Sequence, residues 1–154
     1  MQNRLMSRRR AFTLIELLVV LVILALLAGL VLPKFIERLR QSKVPAAQSQ
    51  ISEFKTAINM YMLDNNGQPP TAQQGLDALI NEPSSQPKPA NWKKYLDIPS
   101  IPKDPWSNDY KYESPGPNGE DYLITSFGED GRPGGEKEAA DITSANIKGS
   151  TENK

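Results

Sequence analysis

The hydrophobic pattern opens with an almost unbroken apolar run, "FTLIELLVVLVILALLAGLVL", from Phe12 to Leu32, interrupted only by Thr13, Glu16 and Gly29. At about 1.5 Å per helical residue such a run spans about 30 Å, the thickness of a hydrocarbon core, and predicts a transmembrane helix over 12–32. A secretory signal peptide needs small residues at both −3 and −1 of its cut site. Cuts after Ala28 or Gly29 leave Leu26 or Leu27 at −3, so the run reads as a span. Pro33 follows, and "KFIERLRQSK" keeps helix-forming composition beyond it, so a helix that kinks at Pro33 and continues is expected.

Further on, Ile51, Phe54, Ile58, Tyr61 and Met62 recur at the spacing of one helical face within Gln48–Asp64, a stripe that must be covered by something else. "DNNGQPP" stops that helix, with Gly67 as its C-terminal cap. A second, short helix is expected at "TAQQGLDALI", where Thr71 and Gln74 have capping-box spacing. Residues 81–106 carry Pro83, Pro87, Pro89, Pro99, Pro102 and Pro105 and should be extended and irregular. "DYKYESPGPNGEDYLITSFG" then gives two β-prone runs around Asn118-Gly119, a small hairpin able to cover the helical stripe. The pattern is that of an α+β chain with a long N-terminal helix and one small C-terminal domain.

Composition narrows the chemistry. The 154 residues leave room for one modest domain and an appendage. With no Cys and no His, the chain has no disulfides, no thiol or imidazole metal ligands and no imidazole general base. The balanced charge hides an asymmetry: Met1–Lys43 holds eight Lys/Arg against two Asp/Glu, leaving ten against sixteen from Val44 onward. The acidic outer part argues against nucleic acid as a partner, and the basic end lies where anionic lipid headgroups would be. Basic residues flank the span on both sides, so charge only weakly favours an N-terminus inside. Glu16 is the one charge in the run, and an intramembrane acid marks either function or a partner. Snorkelling to the interface is the alternative for a carboxylate so near the helix end.

"RAFTLIELLVVLVILALLAGLVLP" resembles the class III signal of type IV pilins and type II secretion pseudopilins, in which a short basic leader ends at a small residue, usually Gly. The resemblance implies a leader over 1–11, peptidase cleavage between Ala11, which stands where Gly is usual, and Phe12, and N-methylation of Phe12. It also implies an assembly role for Glu16, whose carboxylate would meet the freed α-amino group of a neighbouring Phe12. "DNNGQPPTAQQGLDALI", "DPWSNDYKY" and "SFGEDGRPGGEKEAADIT" extend the similarity over nearly the whole chain, to the major pseudopilins. That family implies a "lollipop" of a long transmembrane and amphipathic helix, with 12–32 in the membrane, 33–66 continuing into the periplasm and 67–154 forming the globular region. It further implies a structural, non-enzymatic subunit of a homo-oligomeric helical filament. The expected partners are a prepilin peptidase, an inner-membrane assembly platform and minor pseudopilins. An adhesive type IV pilin or a tip-binding minor pseudopilin is the competing reading, although type IV pilins usually close their C-terminal region with a disulfide.

"SFGEDGRPGGEKEAADIT" reads by composition as a solvated acidic loop. Asp130-Gly131 and Gly134-Gly135 permit tight turns, and Asp141 and Thr143 add hard oxygen atoms of the type Ca2+ takes, at a spacing that is not an EF-hand's. The family resemblance implies one structural Ca2+ here. Matched residue by residue, its ligands would be the side chains of Asp130, Asp141 and Thr143 and the main-chain oxygens of Phe127 and Arg132. Glu129, Glu136 and Glu138 would supply surrounding negative potential.

Overall fold

A computed structural model describes residues 12–147, except the side chains of Leu30, Pro33, Phe35, Leu39 and Arg40. The chain divides into two compact units, Met1–Leu39 and Arg40–Lys154. One helix, α1 (Leu14–Asp64), contributes to both and runs through Pro33 and Pro45. A proline in a helix interior forfeits a hydrogen bond and costs about 3 kcal/mol, so the continuity must be sustained by the many good helix formers around it. The expected continuation past Pro33 is therefore present.

In the first unit, the described apolar side chains of α1 are exposed, from Leu14 (87%) to Leu26 (71%) and Leu32 (56%). Among the described residues no helix is long and apolar enough to cross a membrane.

The second unit has a core of its own. Ala47, Ile51, Phe54, Ala57, Ile58 and Tyr61 form one buried face of α1, packed with Leu76, Ala78, Leu79, Ile80, Leu96, Ile124 and Ile142. Burying a side chain such as Ile, Leu or Phe is worth about 1.5–3 kcal/mol, so this stripe is the main source of the unit's stability. Phe54 meets Tyr110 edge to face at 5.2 Å, and Met62 lies at the margin of the cluster. After α1, the Gly67 N–H returns to the Met62 carbonyl (2.8 Å), the backbone reversal that "DNNG" predicted.

The short helix expected at "TAQQGLDALI" takes a different form. The capping box is present: the Thr71 N–H donates to Gln74 Oε1 (3.0 Å) and the Gln74 N–H to Thr71 Oγ1 (3.2 Å). At Gly75 (φ 61, ψ −166) the backbone leaves helical space, so only a 3-10 turn, Leu76–Leu79, follows. The proline-rich segment is irregular, as expected, yet well anchored. Trp92 Nε1 donates to the Ala78 carbonyl (2.8 Å), and the Tyr95 and Leu96 N–H groups both reach Leu79 (2.8 and 3.1 Å). Gln74 Nε2 holds the Pro87 carbonyl at 2.8 Å. Near the helix end, a hydrogen bond from Lys93 (2.8 Å) keeps the Asp64 carboxyl below its usual range.

The hairpin consists of β1 (Lys111–Glu113) and β2 (Leu123–Ser126), antiparallel with Tyr112 opposite Ile124. Its turn is wider than Asn118-Gly119 alone and is closed by the Gly116 N–H on the Glu120 carbonyl (2.8 Å). The sequence pattern did not reveal β3 (Ile142–Thr143), which pairs antiparallel with the other edge of β2, making β2 the central strand. All four β2 residues are buried.

Candidate functional site

Two places carry the residues expected to matter. At the start of α1, Thr13 and Glu16 form a reciprocal cap. The Thr13 N–H and Oγ1 both donate to Glu16 Oε2 (3.2 and 3.1 Å), and the Glu16 N–H donates to Thr13 Oγ1 (3.3 Å). "TLIE" has the Ser/Thr-x-x-Glu form of a capping box, a local signal that went unread within the apolar run around it. The carboxylate also lies in the first turn of α1, at the positive end of the helix macrodipole. Phe12, just before, is 81% exposed. Ala11 lies outside the described residues.

The second place is the stretch from the end of β2 to β3. Ser126 pairs with Ile142, so the next step of the same register brings Phe127 and Asp141 to one end of the two strands. Phe127 opens a 3-10 turn, Gly128–Asp130, which packs against a second, Lys137–Ala139. Gly128 is the point of contact. Its φ is 63, and a Cβ there would run into the Glu138 carbonyl oxygen and the Ala139 backbone. The sequence required a glycine here twice over, for conformation and for space.

Of the five expected ligand residues, Asp141 is the most telling. Its Oδ2 accepts the Gly134 N–H (3.0 Å), which closes the loop, while its Oδ1 is buried without a hydrogen-bond partner. A buried carboxylate oxygen left unpaired is costly and asks for a cation or a donor. Asp130 is exposed, with Oδ1 accepting the Arg132 N–H at 3.2 Å. Thr143 exchanges two hydrogen bonds with Asn146, one of which (3.3 Å) leaves Thr143 Oγ1 as an acceptor. Glu129 and Glu136 are exposed and Glu138 is half-buried. Among the described residues no three His, Cys, Asp or Glu side chains form a metal-holding group. The expected set has only two carboxylates, with a hydroxyl and two carbonyls, a hard oxygen donor set of the kind Ca2+ takes.

Sequence reasoning missed the support behind this loop. Asp104 is buried in "DPWSN", and its Oδ1 accepts the N–H groups of Trp106 (3.0 Å) and Asn108 (2.8 Å). Ser126 Oγ donates to Asp104 Oδ2 at 2.6 Å. Tyr110, two residues past Asn108, has its phenol pushed well above the usual range, by burial first and by the Asp104 charge second.

Comparison with known proteins agrees with this architecture. Residues 34–145 match the family model described as type II secretion system (T2SS), protein G, and residues 6–32 match the prokaryotic N-terminal methylation motif. The chain is 45% identical over 139 residues to type II secretion system core protein G of Pseudomonas aeruginosa, covering 89% of this chain and 96% of that one. It is 41% identical over 143 residues to the protein of the same name from Vibrio cholerae, covering 93% and 96%. A crystal structure of the major pseudopilin from the type 2 secretion system of enterohaemorrhagic Escherichia coli superposes with a TM-score of 0.55 at 35% identity, covering 73% of this chain and 91% of that one. On the family match and these identities, this chain belongs to the type II secretion system protein G family, the major pseudopilins.

Proposed function

We propose that the chain is a structural subunit of the pseudopilus, the periplasmic filament of a type II secretion system that drives export of folded proteins across the outer membrane. Its function resides in polymerisation, not catalysis. The observation that carries this reading, beyond family membership, is the exposed apolar surface of α1 from Leu14 to Leu32, which water alone cannot accommodate and which lipid or neighbouring copies would cover. Phe12–Leu32 would hold a single-pass precursor in the inner membrane with its C-terminal region periplasmic. A prepilin peptidase would remove residues 1–11 and methylate Phe12. The assembly platform and minor pseudopilins would take up the mature chain. Glu16, which caps its own helix through Thr13, would exchange that partner for the α-amino group of a neighbour's Phe12.

The loop after β2 would hold one structural Ca2+ through Asp130, Asp141, Thr143 and the carbonyls of Phe127 and Arg132, with the orphaned Oδ1 of Asp141 as the strongest support. The ion would supply positive charge between carboxylates and join the two ends of the loop. Binding would stabilise the folded chain by an amount set by free Ca2+ over its dissociation constant, about 2.7 kcal/mol at a hundredfold excess.

The test is expression of the full chain with a complete secretion apparatus, followed by shearing and mass measurement of the filaments. Subunits should begin at methylated Phe12, and Glu16→Ala should leave membrane insertion intact while filament yield falls. Filaments of normal yield in that variant would refute the assembly role of Glu16, and subunits retaining residues 1–11 would refute the processing.

A further inference from the structure

We propose that Asp104, Ser126 and Asn108 are positioning residues for the cation loop, a latch that sets the direction of the Phe127 carbonyl before any ion arrives. The proposal rests on the calcium reading above. Gly128 is gripped at both of its backbone groups. Its N–H donates to Ser126 Oγ (3.3 Å), and its carbonyl accepts Asn108 Nδ2 (2.8 Å). Ser126 Oγ donates its own proton to Asp104 Oδ2 at 2.6 Å, which fixes the hydroxyl so that a lone pair faces the Gly128 N–H. Asp104 is fixed in turn by the N–H groups of Trp106 and Asn108 and by its own N–H on the Asn108 carbonyl (2.8 Å).

The peptide between Phe127 and Gly128 is planar and trans, so its N–H and C=O point in opposite directions. Holding the Gly128 N–H on Ser126 therefore aims the Phe127 carbonyl the other way. Asn108 also lies against Gly131, its Oδ1 being 3.1 Å from where a Cβ would stand, between Asp130 and Arg132. One side chain thus touches both ends of the segment bearing three expected ligands. The Asp104–Ser126 pair is also dry: Asp104 is 4% exposed and Ser126 is fully buried, with Asn108 half-buried beside them. A buried carboxylate is expensive unless fully hydrogen-bonded, and this one serves a turn and a strand end that apolar packing alone could have joined. What it adds is direction. A carbonyl already held in place loses less freedom when a cation binds, and that saving appears as affinity.

The experiment titrates Ca2+ by calorimetry into the metal-stripped full chain in detergent micelles, comparing wild type, Asn108→Ala, Ser126→Ala and Trp92→Phe. The last loses a part-buried hydrogen bond to Ala78, away from the loop. Asn108→Ala and Ser126→Ala should raise the Kd about tenfold or more, while Trp92→Phe should lower the metal-free melting temperature and leave the Kd within about twofold. Amide exchange on the metal-free wild type gives a readout independent of how the variants fold: the Gly128 N–H should already be protected. Equal Kd values in folded variants, or a Gly128 N–H that is protected only after Ca2+ is added, would overturn the latch alone. A wild type that binds no Ca2+ would overturn the calcium reading and the latch with it.

Discussion

Replacing Gly128 by alanine puts a methyl group where the Glu138 carbonyl oxygen already sits. The substitution has two separable penalties. The first is conformational: φ is 63, a left-handed geometry that costs an L-residue about 1–2 kcal/mol. It is offset by about 0.4–1 kcal/mol because alanine restricts the unfolded chain more than glycine does. The second is steric, since the obstructing atoms are the Glu138 carbonyl oxygen and the Ala139 Cα and carbonyl carbon, backbone that no rotamer change can move. Relief by displacing Gly128 from the second 3-10 turn forfeits its hydrogen bonds to Ser126 and Asn108, at about 0.5–1.5 kcal/mol each. The sum is about 1–4.5 kcal/mol, a sizeable share of the 5–15 kcal/mol typical of a folded domain. Gly119→Ala is the matched control. Its φ of 93 carries strain, but nothing lies within 4 Å of a Cβ there, so it should lose about 1 kcal/mol or less. Thermal unfolding of the full chain in micelles, followed by near-ultraviolet circular dichroism, separates the two. At about 4–8 °C per kcal/mol for a domain of this size, Gly128→Ala should melt at least about 4 °C below wild type, and protease should cut it between Phe127 and Asp141. Equal melting and equal cutting in the two variants would refute the steric argument.

Phe54→Ala empties the centre of the core stripe, where Phe54 is 1% exposed and meets Tyr110 edge to face. It should cost about 3–5 kcal/mol by cavity formation, with up to about 1.5 more from the lost ring pair. A loss below about 1 kcal/mol in chemical denaturation would mean that the core lies elsewhere. Alkaline pH should destabilise the fold, because burial raises the phenols of Tyr110 and Tyr112 and pushes Tyr122 up to about 12. The folded state keeps these protons while the unfolded tyrosines lose theirs near pH 10. Stability should therefore be level below about pH 10 and fall above it, by at most about 1.4 kcal/mol per pH unit for each tyrosine. Ultraviolet phenolate titration that found every tyrosine ionising near 10 in the folded chain would contradict this.

Period and punctuation made much of the fold legible. The stripe Ile51, Phe54, Ile58 and Tyr61 is buried as its spacing implies, and the two β-prone runs around Asn118-Gly119 pair. Thr71 and Gln74 bond reciprocally as their spacing suggests, yet Gly75 ends the helix they would have started. β3 escaped notice because two residues carry no period; Ile142 and Thr143 are strand only because β2 offers them an edge. The latch escaped for a similar reason. Asp104 and Ser126 are 22 positions apart, and nothing local to "DPWSN" or "LITS" says that they meet. Asp141 stood out by residue type, whereas the isolation of its Oδ1 is a property of packing alone.

The buried face of α1 also has a mechanical meaning. Ala47, Ile51, Phe54, Ala57, Ile58 and Tyr61 make about four turns of that helix one wall of the second unit's core. Within this unit the helix is therefore no tether ending at the domain's surface. A load applied along its axis enters the domain as shear, shared among six interlocked side chains, instead of as tension on a single peptide link. Sliding the helix would require all of these contacts to leave their sockets together, because a close-packed interior has discrete arrangements and does not creep. Twisting it would carry the whole face out of register with Leu79, Leu96 and Ile124. Push, pull and torque on this length of helix are thus delivered to the folded unit as a rigid load.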